Sequence, residues 1–310
     1  MSGTYGSVWF ARFQTVPVAV KILKHENEFE KTTSEFEVDE IEFLMRTRHE
    51  RLAMFLGCGH MDDGTVFLVF EFAQGGSLER WLWHSPMGGV PWCNRMVFLY
   101  DVTCALQFLH VKHNTLHRDI KSPNVLIMLD DSGRWRGKLT DFGISKIVSR
   151  DAELDENRSY EHSSSCVGTP RWMAPEISLT NSNCGSVDIY SFGIVMWEVL
   201  MEQQPWSSNG NISIDDLFTA VRSGRRPFID PCVEKTAPKG FVELMKQCWH
   251  KDAKSRPNII VVNRDLGRLS SNLILKRSQR EREEDEKQMS LVANAVAHAA
   301  KAFRSSIFDR

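Results

Sequence analysis

The sequence predicts an α+β fold in two unequal lobes, the first built on strands and the second on helices. Three observations carry this expectation. Short runs rich in β-formers, Val18 to Lys21 and Thr65 to Phe72, fall within the first 73 residues, with a single helical pattern between them over 34–48. From Asn94 onward the patterns lengthen and become helical, over 94–111 and 187–201. The 310 residues, 42% hydrophobic and 25% charged, suffice for a large core of ordinary globular composition.

Composition narrows the function classes. A formal charge of -2 gives no reason to expect nucleic acid or an anionic membrane as a partner. Seven cysteines, an odd number without C-x-x-C spacing, argue against a disulfide framework or a zinc site and suit a reducing compartment. The first residues are polar and glycine-rich, unlike a secretory signal, and the longest apolar runs, such as Val125 to Leu129, are too short to cross a bilayer. A soluble enzyme of the cytosol or nucleus is expected.

Each element has a local reason. The opening Gly3-Thr4-Tyr5-Gly6-Ser7-Val8 places glycines where a backbone can approach a ligand closely, because no Cβ intervenes. Val18-Ala19-Val20-Lys21 reads as a buried strand ending in a lysine. In the helix over 34–48, Phe36, Glu40, Phe43, Leu44 and Thr47 share one face. An unpaired carboxylate at Glu40 would be costly in that apolar stripe, and a lysine reaching it from the neighbouring strand removes the cost. The strand over 65–72 runs into the turn Ala73-Gln74-Gly75-Gly76-Ser77. Leu99, Val102, Leu106 and Leu109 form the buried stripe of the helix over 94–111. The helix over 187–201 is apolar all round and so predicted to be fully buried, with Asp188 tolerated in its first turn by the helix dipole. Glu176 wants a cation, and Arg256 is the expected partner. Past residue 271 a mixed-charge run, Lys276 to Lys287, leads into Met289, Val292, Val296, Ala299, Phe303 and Ile307 at helical spacing. That amphipathic helix is suited to docking on the domain, to self-association or to a partner.

The chemistry concentrates in His117-Arg118-Asp119-Ile120-Lys121-Ser122-Pro123-Asn124 and, seventeen residues past Asn124, in Asp141-Phe142-Gly143. Asp119 can accept a proton from a hydroxyl, and Lys121 can neutralise a phosphate oxygen. Asn124 and Asp141 supply the hard oxygen ligands that Mg²⁺ prefers. Moving a phosphoryl group onto an alcohol needs this set.

The pattern resembles a eukaryotic-type protein kinase domain. Together with Gly168-Thr169-Pro170-Arg171-Trp172-Met173, Ala174-Pro175-Glu176 and the run from Cys248-Trp249 to Arg256-Pro257, it is most similar to the tyrosine-kinase-like group of serine/threonine kinases. The motifs run from residue 2 to about 270 in order. The resemblance implies the bilobal kinase fold. A small antiparallel-β lobe with one regulatory helix would span 1–73, lacking its first strand, and a larger, mainly helical lobe would span 74–270. Residues 271–310 would form a charged linker and the amphipathic helix.

It further implies ATP with Mg²⁺, or Mn²⁺ as the alternative metal. Gly3, Gly6 and Val8 would cover the nucleotide, with Met1 standing where the family's first glycine belongs, which suggests an N-terminally truncated start. Ala19 and Val8 would pack above adenine and Leu126 below it. The Glu71 carbonyl and Ala73 backbone would bond adenine, with Phe70 as gatekeeper. Lys21, paired with Glu40, would hold the α- and β-phosphates. Asp141 and Asn124 would hold the metals, Asp119 would act as base and Lys121 would offset charge on the γ-phosphoryl. His117 would pack, and Asp188 would hold the catalytic-loop backbone. Thr169 would bond Asp119 and Lys121. Arg118 would pair with a phosphorylated residue of the segment between Asp141 and Glu176, where Ser149, Tyr160, Ser163, Ser164 and Ser165 are candidates. Protein substrates are implied, with serine/threonine favoured by Lys121 and Thr169 and dual specificity left open, and activation by an upstream kinase or by the chain itself. The rival reading is an ATP-binding pseudokinase-like scaffold, in which the shortened glycine loop prevents turnover. A small-molecule phosphotransferase is disfavoured by the intact docking turn.

Overall fold

The computed structural model describes residues 2–3, 6–23, 41–84, 89–141, 146–147, 169–177, 184–207, 212–273 and 275. The first lobe is a five-stranded antiparallel sheet in the order β1-β2-β3-β5-β4, with β1 Ser2–Gly3, β2 Gly6–Phe13, β3 Val16–Leu23, β4 Phe55–His60 and β5 Val66–Glu71. At the start of the lobe Ser2–Gly3 pairs with Gly6 and Ser7. Directly opposed residues of an antiparallel pair share a face. The registers Val8↔Lys21, Lys21↔Leu68 and Ala19↔Phe70 therefore set Val8, Lys21, Ala19 and Phe70 on one side of the sheet. β2 and β3 meet through Gln14-Thr15, with Gln14 at φ 56°. Of the helix expected over 34–48, the described part, α1, covers 41–46, with Leu44 buried. Thr47 lies just beyond it. Glu40 and the rest of the expected helix lie outside the described residues.

The two lobes are tied by backbone and by one buried acid. Ala53 N–H donates to the Leu139 carbonyl at 2.9 Å, and Leu139 N–H to that of Arg51 at 2.8 Å. Asp101, fully buried, accepts from Arg51 Nε, Arg136 Nε and Gly137 N, each at 2.9 Å. Charge-assisted bonds of this kind offset the cost of burying the carboxylate. The turn at 73–77 is pinned as well: Gly75 N–H reaches the Ile127 carbonyl at 3.0 Å, and Ile127 N–H that of Gly76 at 2.8 Å. A Cβ on Gly75 would stand 2.7 Å from that Ile127 oxygen, so the approach requires glycine.

The second lobe contains α2 Leu78–Trp83, α3 Trp92–Gln107, α4 Ser186–Met201, α5 Ile214–Ser223, α6 Pro231–Glu234, α7 Phe241–Cys248 and α8 over 259–273, which runs past the expected boundary at 270. Two small hairpin-like sheets complete it, β6 (Thr115–Leu116) with β9 (Lys146–Ile147) and β7 (Val125–Leu129) with β8 (Trp135–Leu139). α3 starts two residues before the expected Asn94, because the Pro91 carbonyl accepts from the N–H groups of Asn94 and Arg95 and closes the first turn. It ends in a π turn, Phe108–Lys112. Leu99, Val102, Leu106 and Leu109 are fully buried, as the stripe predicts. Every residue of α4 from Val187 to Leu200 is buried, so this helix is the post around which the lobe packs. The amphipathic tail helix, with Lys276 to Lys287 before it, lies outside the described residues.

Candidate active site

The loop from His117 to Asn124 is irregular backbone, and α4 supplies the groups that hold it. Asp188 Oδ2 accepts from His117 N and Oδ1 from Arg118 N, both at 2.8 Å, and His110 Nε2 lies 2.7 Å from Oδ2. Burial acts to raise the Asp188 carboxyl, but the His110 bond and the charges and amides around it outweigh burial and leave it below its ordinary range. The backbone bends sharply here: Arg118 takes φ 66° and Asp141 φ 70°, both in the left-handed region that non-glycine residues avoid. His117 is fully buried, with Nε2 2.9 Å from the Thr140 carbonyl and Nδ1 accepting from Asp119 N at 3.3 Å. Its role is packing and bonding, as expected.

Around Asp119 the side chains converge. Oδ1 accepts from Thr169 Oγ1 at 2.8 Å, and Oδ2 accepts from Lys121 Nζ at 2.6 Å and Asn124 Nδ2 at 3.0 Å. Lys121 Nζ also donates to Thr169 Oγ1 at 2.7 Å. Asn124 Nδ2 bonds the Asp119 carbonyl at 2.8 Å, which fixes the amide plane and keeps its oxygen as a metal donor. From the other lobe Lys21 Nζ forms an ion pair with Asp141 Oδ1, both side chains mostly buried. Thus Lys21, Asp119, Lys121, Asn124, Asp141 and Thr169 are set in place by two lobes and four chain segments. The Lys21–Glu40 pair involves a residue outside the described set, as do Phe142, Gly143 and all five candidate phosphorylation sites.

Of the residues expected to contact the nucleotide, Val8, Ala19 and Phe70 share the sheet face already described. Leu126 is half-buried in β7, and Phe70 stands edge-on to Phe55 at 5.5 Å. The Ala73 carbonyl accepts from Gly76 N at 3.2 Å within the turn. Gly3 and Gly6 are opposed across β1 and β2. Glu71 does more than was expected of its carbonyl: its carboxylate accepts from Met54 N and from Lys138 Nζ, each at 2.7 Å. Asp141 and Asn124 fit Mg²⁺, which is held by one or two protein oxygens with water and phosphate completing its shell.

One residue escaped the sequence reading. Glu198, fully buried in α4, accepts from Ser122 Oγ at 2.6 Å and Trp172 Nε1 at 2.7 Å. Burial pushes its carboxyl up to about 8 against these bonds. The signal was visible: a second carboxylate, ten residues past Asp188, inside an otherwise mostly apolar helix, the same anomaly that singled out Glu40.

A buried acid bonded to a lysine and an amide in a helical lobe, with a second acid paired to a lysine of a β lobe, is the arrangement of the protein kinase class. The chain belongs to the protein tyrosine and serine/threonine kinase family, whose profile matches residues 1–266. It is 34% identical over 264 residues to a probable serine/threonine-protein kinase of Dictyostelium discoideum, covering 84% of this chain and 40% of that one. It is 31% identical to the dual specificity protein kinase shkC of the same organism, covering 83% and 47%. With the serine/threonine-protein kinase CTR1 of Arabidopsis thaliana it shares 28% identity over 84% of this chain and 30% of that one. The chain spans less than half the length of these relatives. The family uses ATP with Mg²⁺. No helix among the described residues is long and apolar enough to cross a membrane.

Proposed function

We propose that this chain transfers the γ-phosphate of ATP to serine or threonine hydroxyls of proteins. The observation that carries the proposal is the buried cluster at Asp119. Its carboxylate is oriented from three sides by Lys121, Asn124 and Thr169, so it can accept a hydroxyl proton in one fixed direction. Lys121 neutralises charge that builds on the transferring group. Lys21 draws the phosphates toward Asp141, and Asp141 and Asn124 would hold Mg²⁺, which when bound compensates the phosphate charge. Val8 and Ala19 above and Leu126 below form the apolar walls for adenine, with hydrogen bonds from the backbone at Glu71 and Ala73. Thr169, bridging Lys121 and Asp119, supports an aliphatic hydroxyl as acceptor, and the dual specificity relative supports testing tyrosine beside it. The odd cysteine count without C-x-x-C spacing supports work in a reducing compartment, the cytosol or nucleus.

The test is transfer of labelled γ-phosphate from Mg-ATP to the chain and to a basic protein, with Asp119→Ala alongside and sites mapped by mass spectrometry. Phosphate on serine or threonine, lost in the variant while its melting temperature holds, is expected. Thermal stabilisation by Mg-ATP without any transfer would overturn the proposal in favour of a nucleotide-binding scaffold.

A further inference from the structure

α3, α8 and the start of β8 enclose a cavity of about 770 Å³. None of its lining residues belongs to the catalytic loop, the turn at Thr169 or the strands of the first lobe. One stripe of α8 runs along it, since Gly267, Arg268 and Ser271 follow Arg264 at helical spacing. α3 contributes Val97 and Tyr100, and β8 contributes Arg136. Gly267 sets how closely the two helices meet. A Cβ there would stand 3.0 Å from Cε2 of the Tyr100 ring, so a larger residue would push α8 off the ring.

The lining is one-sided in its chemistry. Its polar side chains, arginine, tyrosine, serine and asparagine, can all donate, and no acid stands among the described residues that line it. Arginines in the last turns of a helix suit its dipole. That accounts for α8 alone, and not for Arg136 arriving from a strand. Arg136 is braced: Nε and Nη2 donate to the fully buried Asp101 at 2.9 and 2.5 Å. This bidentate bond fixes the guanidinium plane and uses neither Nη1 donor. Arg264 and Arg268 share one carboxylate, Asp265, at 2.8 and 3.6 Å, so one of their two charges is left over. The acids near Arg136 are engaged as well, Asp130 by Arg134 at 3.1 Å and Glu50 by Arg51 at 3.4 Å.

We infer that this groove binds a phosphate monoester carried on a protein segment, a phosphoserine or phosphothreonine. Such a group has three terminal oxygens and close to two negative charges at neutral pH, which converging guanidinium forks match and a lone carboxylate does not. Val97 and the Tyr100 ring give an apolar floor for the side chain beside the phosphorylated residue, which favours a peptide over a free ion. The groove is separate from the transfer site, so its binding is measurable whether or not the chain transfers phosphate.

The test is fluorescence anisotropy on the full chain with Mg-ADP at saturation, which fills the nucleotide site. The probe is a labelled short peptide with a central phosphoserine between leucines, and the comparison peptides carry serine or glutamate there. Wild type is expected to bind the phosphopeptide at least about tenfold more tightly than either comparison peptide. Joint replacement Arg264→Ala and Arg268→Ala is expected to weaken that binding by about tenfold or more. The melting temperature of this variant is expected to hold, since both side chains are largely exposed. Equal binding by wild type and the double variant would place the peptide elsewhere and overturn the inference. Equal binding of the glutamate peptide would overturn it too, as would full competition by inorganic phosphate at the peptide's own concentration, which leaves a small-anion site only. Absence of phosphate transfer by wild type would overturn the kinase proposal and leave this one standing.

Discussion

Thr169 Oγ1 donates to Asp119 Oδ1 at 2.8 Å across fifty residues of sequence. A hydrogen bond to a charged group contributes about 1.5–3 kcal/mol. Thr169→Val keeps the shape and removes the hydroxyl. Steady-state kinetics are expected to show kcat reduced by about tenfold, with the KM for ATP unchanged, since the lost bond orients the base and not the nucleotide. An unchanged kcat would show that Lys121 and Asn124 suffice to orient Asp119.

Asp188 carries three hydrogen bonds in full burial, so Asp188→Ala leaves two backbone donors and His110 without their acceptor. A cost of about 3 kcal/mol is expected in denaturant melts. Because its folded-state carboxyl lies below the ordinary value of 3.8, its stabilisation is complete above that pH. It is lost as pH falls through the lower folded value. Wild type is thus expected to lose stability below about pH 4 more steeply than Asp188→Asn.

For Glu198 the sign reverses. Its carboxyl is raised from 4.5 to about 8 in the folded chain. Folded protein then binds more protons than unfolded between those values, so stability is full below 4.5 and falls as pH rises through about 8. The slope for one group is about 1.4 kcal/mol per pH unit. Chemical denaturation of wild type and Glu198→Gln across pH 5 to 8.5 is expected to show curves that diverge as pH rises, with the glutamine variant the flatter.

Arg256 holds Glu176 through two parallel bonds, 2.6 and 2.9 Å, and donates as well to the carbonyls of Ser186 and His250, while stacking on Tyr190. A lysine keeps the charge and loses the fork. Arg256→Lys is expected to cost about 2 kcal/mol, read from the midpoint shift in urea. A shift near zero would mean that charge alone holds this corner.

Much of this was legible in the chain. Asp119, Lys121 and Asn124 fall in one loop with Asp141 seventeen residues beyond it, and the Glu176–Arg256 pair is the one that the kinase resemblance implies. The buried stripe of α3 and the full burial of α4 follow from periodicity alone. Boundaries were less legible. The helix expected from Asn94 begins two residues earlier, because the Pro91 carbonyl supplies the first turn. Nothing local in the sequence marks Asp101, on which Arg51 and Arg136 meet from separate segments.

From the residues alone one could read that an acid, a lysine and an amide share one loop, and local spacing does bring Asp119, Lys121 and Asn124 within reach of one another. Other contacts came only with the packed chain: that Lys21 meets Asp141, and that Glu198 joins Ser122 to Trp172. The reason is physical. A side chain's residue type states what it can donate or accept, but burial and the partner opposite it decide its charge and its direction, and both are set only when remote segments pack against the same helix.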